Sequence, residues 1–125
     1  MTPARILLVD DEEEILRLLT RCLRRQGYQV TTATSSHQAL ALLQEAAFDV
    51  AIVDYMMPGM NGLELAGHGQ RRQPALKILM LTGSPLIAEI EAAGYACLRK
   101  PLENLQGLDQ AIERLLAAEG EETTA

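Results

Sequence analysis

Five short, mostly apolar runs separated by longer amphipathic stretches constrain the fold of this chain more than any other feature. The runs are Ile6–Val9, Gln29–Ala33, Val50–Val53, Ile78–Leu81 and Ala96–Leu98. Apolar runs that alternate with helical stretches are typical of βα units around a parallel sheet whose two faces are covered by helices. We therefore predict an α/β domain in which the second run, where Val30 is followed by threonines, is the most edge-like strand.

The amphipathic stretches carry apolar residues at helical spacing. The first contains Ile15, Leu18, Leu19, Cys22 and Leu23, and the last contains Leu105, Leu108, Ala111, Ile112, Leu115 and Leu116. Both sets are predicted to face the core. A third helix is expected after Gly62, although Gly67 and Gly69 lie inside it and should each cost about 1 kcal/mol relative to alanine. A fourth helix, over Pro85–Ala93, is predicted to be short.

The length of 125 residues suits one domain with its own hydrophobic core. We place that domain at residues 1–118 and predict that the acidic residues 119–125 form a disordered tail or linker. The net charge of −6 argues against direct binding of nucleic acid or of an anionic membrane. Two distant cysteines, and an N-terminus that resembles neither a signal peptide nor a spanning helix, predict a cytoplasmic protein.

Polar side chains follow four of the five apolar runs. Asp10 and Asp11 follow the first run, Asp54 follows the third, Thr82 follows the fourth, and Lys100 lies two residues beyond the fifth. The carboxyl ends of parallel strands emerge on one edge of an open sheet, where such folds bind their ligands. Residues scattered over most of the sequence are therefore expected to converge in one cleft.

Three carboxylates in one cleft repel one another unless a cation compensates for them. Oxygen ligands without His or Cys favour Mg2+, bound by one or two carboxylates, a backbone carbonyl and waters. Lys100 supplies a second cation and Thr82 a hydroxyl donor, which suits a phosphoryl group in transfer. Asp54 is the predicted nucleophile. Taken singly, each residue also fits a helix cap, a turn or a solvated loop.

Four segments together resemble the motif set of response-regulator receiver domains, and these are Ile6–Glu12, Val53–Gly62, Leu81–Gly83 and Leu98–Pro101. In the second segment an aspartate is followed by Met-Pro at the third and fourth positions after it and by glycine at the eighth. The resemblance extends from residue 5 to about residue 118. It implies a (βα)5 doubly wound, five-stranded parallel sheet of flavodoxin-like strand order 2-1-3-4-5 in three α/β/α layers, as in chemotaxis regulators.

The same resemblance implies a function. Asp54 would accept a phosphoryl group from the phosphohistidine of a sensor histidine kinase or a histidine phosphotransfer protein. Mg2+ would be bound by Asp11, Asp54 and the backbone carbonyl of Met56, with Asp10 assisting through water. The domain would act as a phosphorylation-controlled switch toward an unknown downstream protein or output domain. It would not be an enzyme, although it would promote its own phosphorylation and dephosphorylation.

Further roles follow from the resemblance for the fourth and fifth strand ends. Thr82 and Lys100 would contact the phosphoryl group, and a cis peptide bond before Pro101 would help to direct Lys100 inward. The small Gly83 would leave water a path to the acyl phosphate. Gly83 fits a simple turn equally well.

The chain departs from the family between Thr82 and Lys100, where it is several residues shorter, so the fourth helix is expected to lose about a turn. Cys97 stands three positions before the lysine, where the family has an aromatic residue that changes rotamer on phosphorylation. Tyr95 is predicted to point the same way as Cys97, by strand alternation. We therefore expect phosphoacceptance to be intact and signal output through the last strand to be weak.

Three alternative functions are weighed against this one. A degenerate receiver-like module that acts by protein contacts alone is favoured by the short fourth helix and opposed by the complete set of polar strand ends. A flavodoxin-like FMN carrier or a small phosphatase would share the sheet. Both are opposed by the absence of a Ser/Thr/Gly phosphate loop after the first strand, by the scarcity of aromatic residues and by the lack of an Asp-x-Asp motif.

Overall fold

The computed structural model describes residues 3–83, 85–100 and 105–124, and for residues 118–124 the backbone alone. The strands are β1 Arg5–Val9, β2 Gln29–Ala33, β3 Val50–Asp54, β4 Lys77–Thr82 and β5 Ala96–Arg99. The helices are α1 Glu13–Arg25, α2 Ser36–Glu45, α3 Gly62–Arg72, α4 Ile87–Ala92 and α5 Gln106–Thr124. All five strands coincide with the predicted apolar runs to within a residue at each end.

The five strands form one parallel sheet in the order β2-β1-β3-β4-β5, which confirms the predicted fold. The order reverses between β1 and β3, which are direct neighbours, with Val9 opposite Val53. In open α/β sheets the crevice at such a reversal is where ligands bind. The residues that follow Val9 and Val53 are therefore side by side at the sheet edge.

Alternate residues of each strand enter two different cores. Leu7 and Val9 of β1 pack with α2, α3 and α4 on one face of the sheet. Ile6 and Leu8 pack with α1 and α5 on the other face. Because side chains alternate across a strand, strands with helices on both faces must be apolar at every position. This explains why β1, β3 and β4 are nearly continuous apolar runs.

The face that α1 presents to the sheet differs from the predicted one. Leu16, Leu19 and Leu23 are buried, whereas Leu18, which was predicted to face the core, is 53% exposed. The buried residues repeat at spacings of three and four, so Leu18 lies about a quarter-turn away from the stripe that they define. Helical periodicity identified the helix but not the exact side that meets the sheet.

The bounds of helices α4 and α5 also differ from those predicted from the sequence. Helix α4 is short, as expected, with six residues, and it begins at Ile87, two residues later than predicted. Helix α5 continues to Thr124 and so includes most of the segment predicted as a tail. The division of the chain at residue 118 stays a prediction. Within the described part of the chain, none of the helices combines the length and apolarity that crossing a membrane requires.

Three glycines of α3 have different surroundings. A Cβ at Gly62 would lie 2.8 Å from both the Met80 Sδ and the Tyr55 Cα, so this position admits no side chain. A Cβ at Gly69 would lie 3.2 Å from a Leu43 methyl carbon, where α2 and α3 touch. A Cβ at Gly67 would meet nothing within 4 Å. Gly62 therefore lets the start of α3 approach the end of β3, whereas Gly67 serves no packing purpose in this structure.

We predict opposite effects for alanine at Gly62 and at Gly67. Gly67→Ala should stabilise the domain by about 0.5 to 1 kcal/mol, because alanine has the higher helix propensity and the space is open. Gly62→Ala should destabilise it by about 1 to 3 kcal/mol, because the added methyl group overlaps backbone and sulfur atoms. Urea unfolding of both variants measures the free energies. Equal effects of the two substitutions would contradict this account of α3.

Candidate phosphoacceptor site

Two buried aspartates lie side by side at the carboxyl edge of the sheet. Asp10 follows β1 and is 1% exposed, and Asp54 ends the neighbouring strand β3 and is 4% exposed. The Asp10 Oδ1 accepts a hydrogen bond from the Glu12 N–H at 2.9 Å. The Asp54 Oδ1 accepts one from the Met56 N–H at 3.3 Å. These backbone donors fix the orientation of both carboxylates.

Lys100 provides the positive charge between them. Its Nζ lies 2.9 Å from the Asp10 Oδ2 and 3.4 Å from the Asp54 Oδ2. It also lies 3.3 Å from the Oε1 of Glu12, an exposed residue at the mouth of the cleft. The backbone that carries this lysine is held to β4, because the Lys100 N–H donates to the Thr82 carbonyl oxygen at 2.9 Å. The structure thus brings together residues that are 90 positions apart in the sequence.

Thr82 and Gly83 complete the edge on the β4 side. Thr82 ends β4, is fully buried and lies opposite Arg99 of β5. A Cβ at Gly83 would lie 3.4 Å from the Lys100 carbonyl oxygen, an ordinary contact, so packing does not by itself require a glycine there. Pro101 and Ser84 lie outside the described residues, and the predicted cis peptide bond lies there with Pro101.

The carboxylates form a cluster suited to a hard cation. Oxygen atoms of Asp10, Asp11, Glu12 and Asp54 lie within 4.8 Å of one another. An all-oxygen donor set of this kind fits Mg2+, which prefers carboxylate, carbonyl and water ligands. Asp11 is exposed and leaves one side of the cluster open to solvent. No role was predicted for Glu12, although its position directly after two aspartates was a signal that it could join them.

The electrostatics of the cleft show that the lysine compensates only part of the negative charge. Burial, and then the charge of Asp10, raise the pKa of Asp54 from its ordinary 3.8 to about 6, against the opposing effects of Lys100 and the Met56 N–H. Burial acts to lower the pKa of Lys100, but hydrogen bonding to Asp10 and the charges of Asp10 and Asp54 raise it above its ordinary value. The apo cleft is therefore short of positive charge, which is the condition that favours cation binding.

The predicted switch positions lie in β5 and directly before it. Tyr95 and Cys97 both pack against the core formed with α2, α3 and α4, whereas Ala96 and Leu98 pack on the opposite face. The side chains of Tyr95 and Cys97 thus share a face, as strand alternation predicted. The Tyr95 hydroxyl donates to the Gln70 Oε1 of α3 at 3.3 Å. Burial and the charge of Glu91 raise the pKa of the Cys97 thiol, so it is not an activated nucleophile.

A doubly wound parallel sheet with paired aspartates and a lysine at its carboxyl edge defines the class of phosphoacceptor signalling domains. The sequence profile of the response regulator receiver domain matches residues 6–113 of this chain. The chain therefore belongs to the response regulator receiver domain family of two-component systems. Receiver domains are signalling domains.

Individual relatives agree with this assignment. The receiver protein CpdR of Brucella abortus is 36% identical over 118 residues, which are 91% of this chain and 98% of CpdR. The chain is also 34% identical to the transcriptional regulatory protein GlrR of Escherichia coli over 95% of its own length but spans only 28% of GlrR. The chemotaxis protein CheY4 of Vibrio cholerae superimposes with a TM-score of 0.82 at 35% identity, over 91% of this chain and 99% of that one.

A further solved structure shows the same fold with a ligand. TrrA of Thermotoga maritima, in complex with Mg2+ and beryllofluoride, superimposes with a TM-score of 0.80 at 31% identity. The match covers 90% of this chain and 98% of TrrA. The fold similarity therefore extends to a response regulator whose structure was solved with Mg2+ and beryllofluoride.

The raised pKa of Asp54 predicts a particular pH dependence of stability. The folded protein binds the Asp54 proton more tightly than the unfolded chain does, so this proton stabilises the folded state. The stabilisation is complete below about pH 4 and is lost as the pH rises through about 6. Without metal, the free energy of unfolding of Asp54→Asn relative to wild type should rise by about 2 to 3 kcal/mol between pH 4 and pH 7. Thermal or urea unfolding across that range measures it.

Asp10→Asn is the matched control, because Asp10 is the closest partner of Lys100. Loss of this ion pair should lower the free energy of unfolding at pH 7, even though it also removes a negative charge from the cleft. A stability difference between Asp54→Asn and wild type that stays constant from pH 4 to pH 7 would contradict the assignment.

Proposed function

We propose that this receiver domain takes up a phosphoryl group on Asp54 from the phosphohistidine of a sensor histidine kinase or a histidine phosphotransfer protein. The observation that supports it most directly is the arrangement of Asp54, a buried carboxylate at the sheet edge, with the Lys100 ammonium 3.4 Å away. A cation at this distance can stabilise negative charge on a transferring phosphoryl group. The output of such a switch would be a downstream protein or an attached domain.

The transfer can be written for the residues of this chain. An Asp54 carboxylate oxygen attacks phosphorus, the bond from phosphorus to the histidine nitrogen breaks, and the imidazole leaves with its electron pair. The product is an acyl phosphate on Asp54. Lys100 exchanges part of its contact with Asp10 and Glu12 for the phosphoryl oxygens, and Thr82 supplies a hydroxyl donor from β4. Hydrolysis of the acyl phosphate by water, with Gly83 leaving the approach open, would reset the switch.

Mg2+ is the proposed cofactor. Asp10, Asp11 and Asp54 would hold it, together with the Met56 carbonyl that the family resemblance implies. When bound, the metal would neutralise negative charge on the Asp54 carboxylate and on the phosphoryl oxygens. The solved complex of TrrA with Mg2+ and beryllofluoride supports the choice of Mg2+ for this chain. The cytoplasmic location of this chain remains a prediction.

The first test of the phosphoacceptor is chemical. After incubation with acetyl phosphate and Mg2+, intact mass measurement should show a gain of one phosphoryl group. Asp54→Ala should abolish the gain, because it removes the carboxylate that is proposed to attack phosphorus, whereas Asp10 remains paired with Lys100 at 2.9 Å. Asp49→Asn should retain it, because Asp49 precedes β3 at the opposite edge of the sheet, where it accepts the Arg5 N–H. Uptake that persists in Asp54→Ala would refute the proposal.

Metal binding gives a second, independent test. Asp11→Ala should abolish Mg2+ binding measured by titration calorimetry, because it removes an open-side carboxylate of a cluster that binds the ion weakly and through several waters. Glu14→Gln is the matched control, since Glu14 is an exposed acid of α1 outside the cluster. Unchanged affinity in Asp11→Ala, or an equal loss in Glu14→Gln, would mean that the metal site is misassigned.

We also propose that signal output through β5 is weak. Cys97 is small, and Tyr95 is tied to Gln70 of α3, so few contacts on β5 differ between two states of the domain. Beryllofluoride should therefore shift the backbone amide resonances of residues 85–98 less than those of the loops around Asp54. Tyr95→Ala should remove what shifts there are in β5. Large shifts in this segment that survive Tyr95→Ala would disprove the idea.

The alternative of a degenerate module without phosphorylation gains no support from the site. The residues predicted for the phosphoacceptor site are all present in the sequence. The repulsion between the paired carboxylates costs free energy that a purely structural module has no reason to retain. The FMN-carrier and phosphatase alternatives likewise find no support in the family match or in the cleft.

A further inference from the structure

An open groove separates α1 from β2, the edge strand of the sheet. It has a volume of about 860 Å³ and runs between one side of α1 and the outer residues of β2. Leu16 and Val30 contribute apolar surface, and Thr32 and Thr34 continue the strand side of the groove. Val30 and Thr32 lie in β2 and Thr34 directly follows it, so this wall is about 13 Å long. A groove of this shape suits a linear ligand.

The helix side of the groove is basic. Arg17, Arg21, Arg24 and Arg25 line it. They are four of the eleven Lys and Arg residues in a chain of net charge −6. Among the residues that the structure describes, no carboxylate lies within salt-bridge distance of these arginines. One acid, Glu13, lines the groove where α1 begins. A cationic wall this concentrated in an acidic protein selects a ligand that carries negative charge.

The strand side offers main-chain hydrogen bonds. The Gln29 N–H donates to the Ala4 carbonyl, and the Ala33 carbonyl accepts from the Asp10 N–H, so residues 29 and 33 point their peptide groups toward β1. Peptide groups alternate in direction along a strand, which turns those of Val30 and Thr32 toward the open edge. Within the described part of the chain, no group outside the sheet bonds to them. An extended peptide is the ligand that can satisfy such an edge.

A buried hydroxyl in the same groove is also unused. The Thr20 Oγ1 is buried and has no hydrogen-bond partner in the described structure, and Thr20 lines the groove between Arg17 and Arg21. A threonine in a helix has two accessible χ1 rotamers, so a change of rotamer can present this hydroxyl to a ligand. An acidic side chain that enters the groove would supply the missing acceptor.

We propose that this groove binds an acidic, extended peptide segment of a partner protein, which adds to β2 as a further strand and places alternate acidic side chains against the arginines of α1. The main-chain edge favours a peptide over a nucleic acid, and the overall negative charge disfavours a polyanion as long as an oligonucleotide. The groove uses none of the residues of the phosphoacceptor cleft.

The experiment uses a fluorescein-labelled peptide with the sequence Glu-Val-Glu-Thr repeated twice, and fluorescence anisotropy measures its binding to the full chain. Arg21→Glu combined with Arg24→Glu should weaken binding at least about tenfold, because two attractive charges become repulsive. Arg71→Glu with Arg72→Glu is the matched control, an arginine pair at the end of α3, and should leave binding unchanged. Thermal unfolding checks that each variant is folded.

Thr32→Pro distinguishes strand addition from charge attraction alone. Proline removes an N–H that faces the open edge and is tolerated on edge strands, so the variant should lose peptide binding. Should that variant not fold, amide hydrogen exchange on the wild type replaces it, and the peptide should slow exchange at Val30 and Thr32.

Absence of peptide binding, equal weakening by the control pair, or binding without any effect at Thr32 would overturn the proposal. Tighter binding of a single-stranded oligonucleotide, lost in the Arg21/Arg24 variant, would identify a nucleic-acid site instead.

Discussion

The contact of one ammonium group with two buried carboxylates is the interaction on which the site depends. Asp10 and Asp54 end adjacent strands, and their charges cannot both be buried without a cation near them. Lys100 supplies it from β5, which lies two strands away from β3, at a spacing of about 10 Å. Only a long, flexible side chain spans that distance. The order of strands therefore decides which residue can neutralise the cleft.

Lys100 compensates only part of the negative charge of Asp10 and Asp54, and the remaining charge favours the binding of a cation. The pKa of Asp54 stays raised to about 6, so the metal-free cleft stabilises a proton that a divalent cation or a phosphoryl group would replace. Glu12 takes a share of the same ammonium group at 3.3 Å and is exposed, so the lysine can leave it at little cost in desolvation. The site therefore forms without a ligand but keeps an excess of negative charge that favours the binding of a cation.

Close contacts between helices and strands at a few single residues hold this arrangement in place. Gly62 lets α3 start against the backbone of Asp54 and Tyr55, and the Asn61 side chain caps that helix by accepting the Glu64 N–H. On the other side, α1 turns Leu16 rather than Leu18 toward the sheet. That rotation also places the arginines of α1 beside the open edge of β2. A small difference in helix orientation thus determines which surface is left for a partner.

The sequence by itself determined the number and type of elements and, through its family motifs, the strand order. It also determined which polar residues stand at the strand ends of one sheet edge, namely Asp10, Asp11, Asp54, Thr82 and Lys100. These follow from local periodicity and from residues at strand ends, which a linear pattern contains. The tertiary structure alone decided that Glu12 shares the lysine, that Gly69 packs closely while Gly67 does not, and that β2 keeps an open basic groove. Each of these depends on distances between elements and on helix rotation, which arise from packing many side chains at once and leave no periodic signal in the chain.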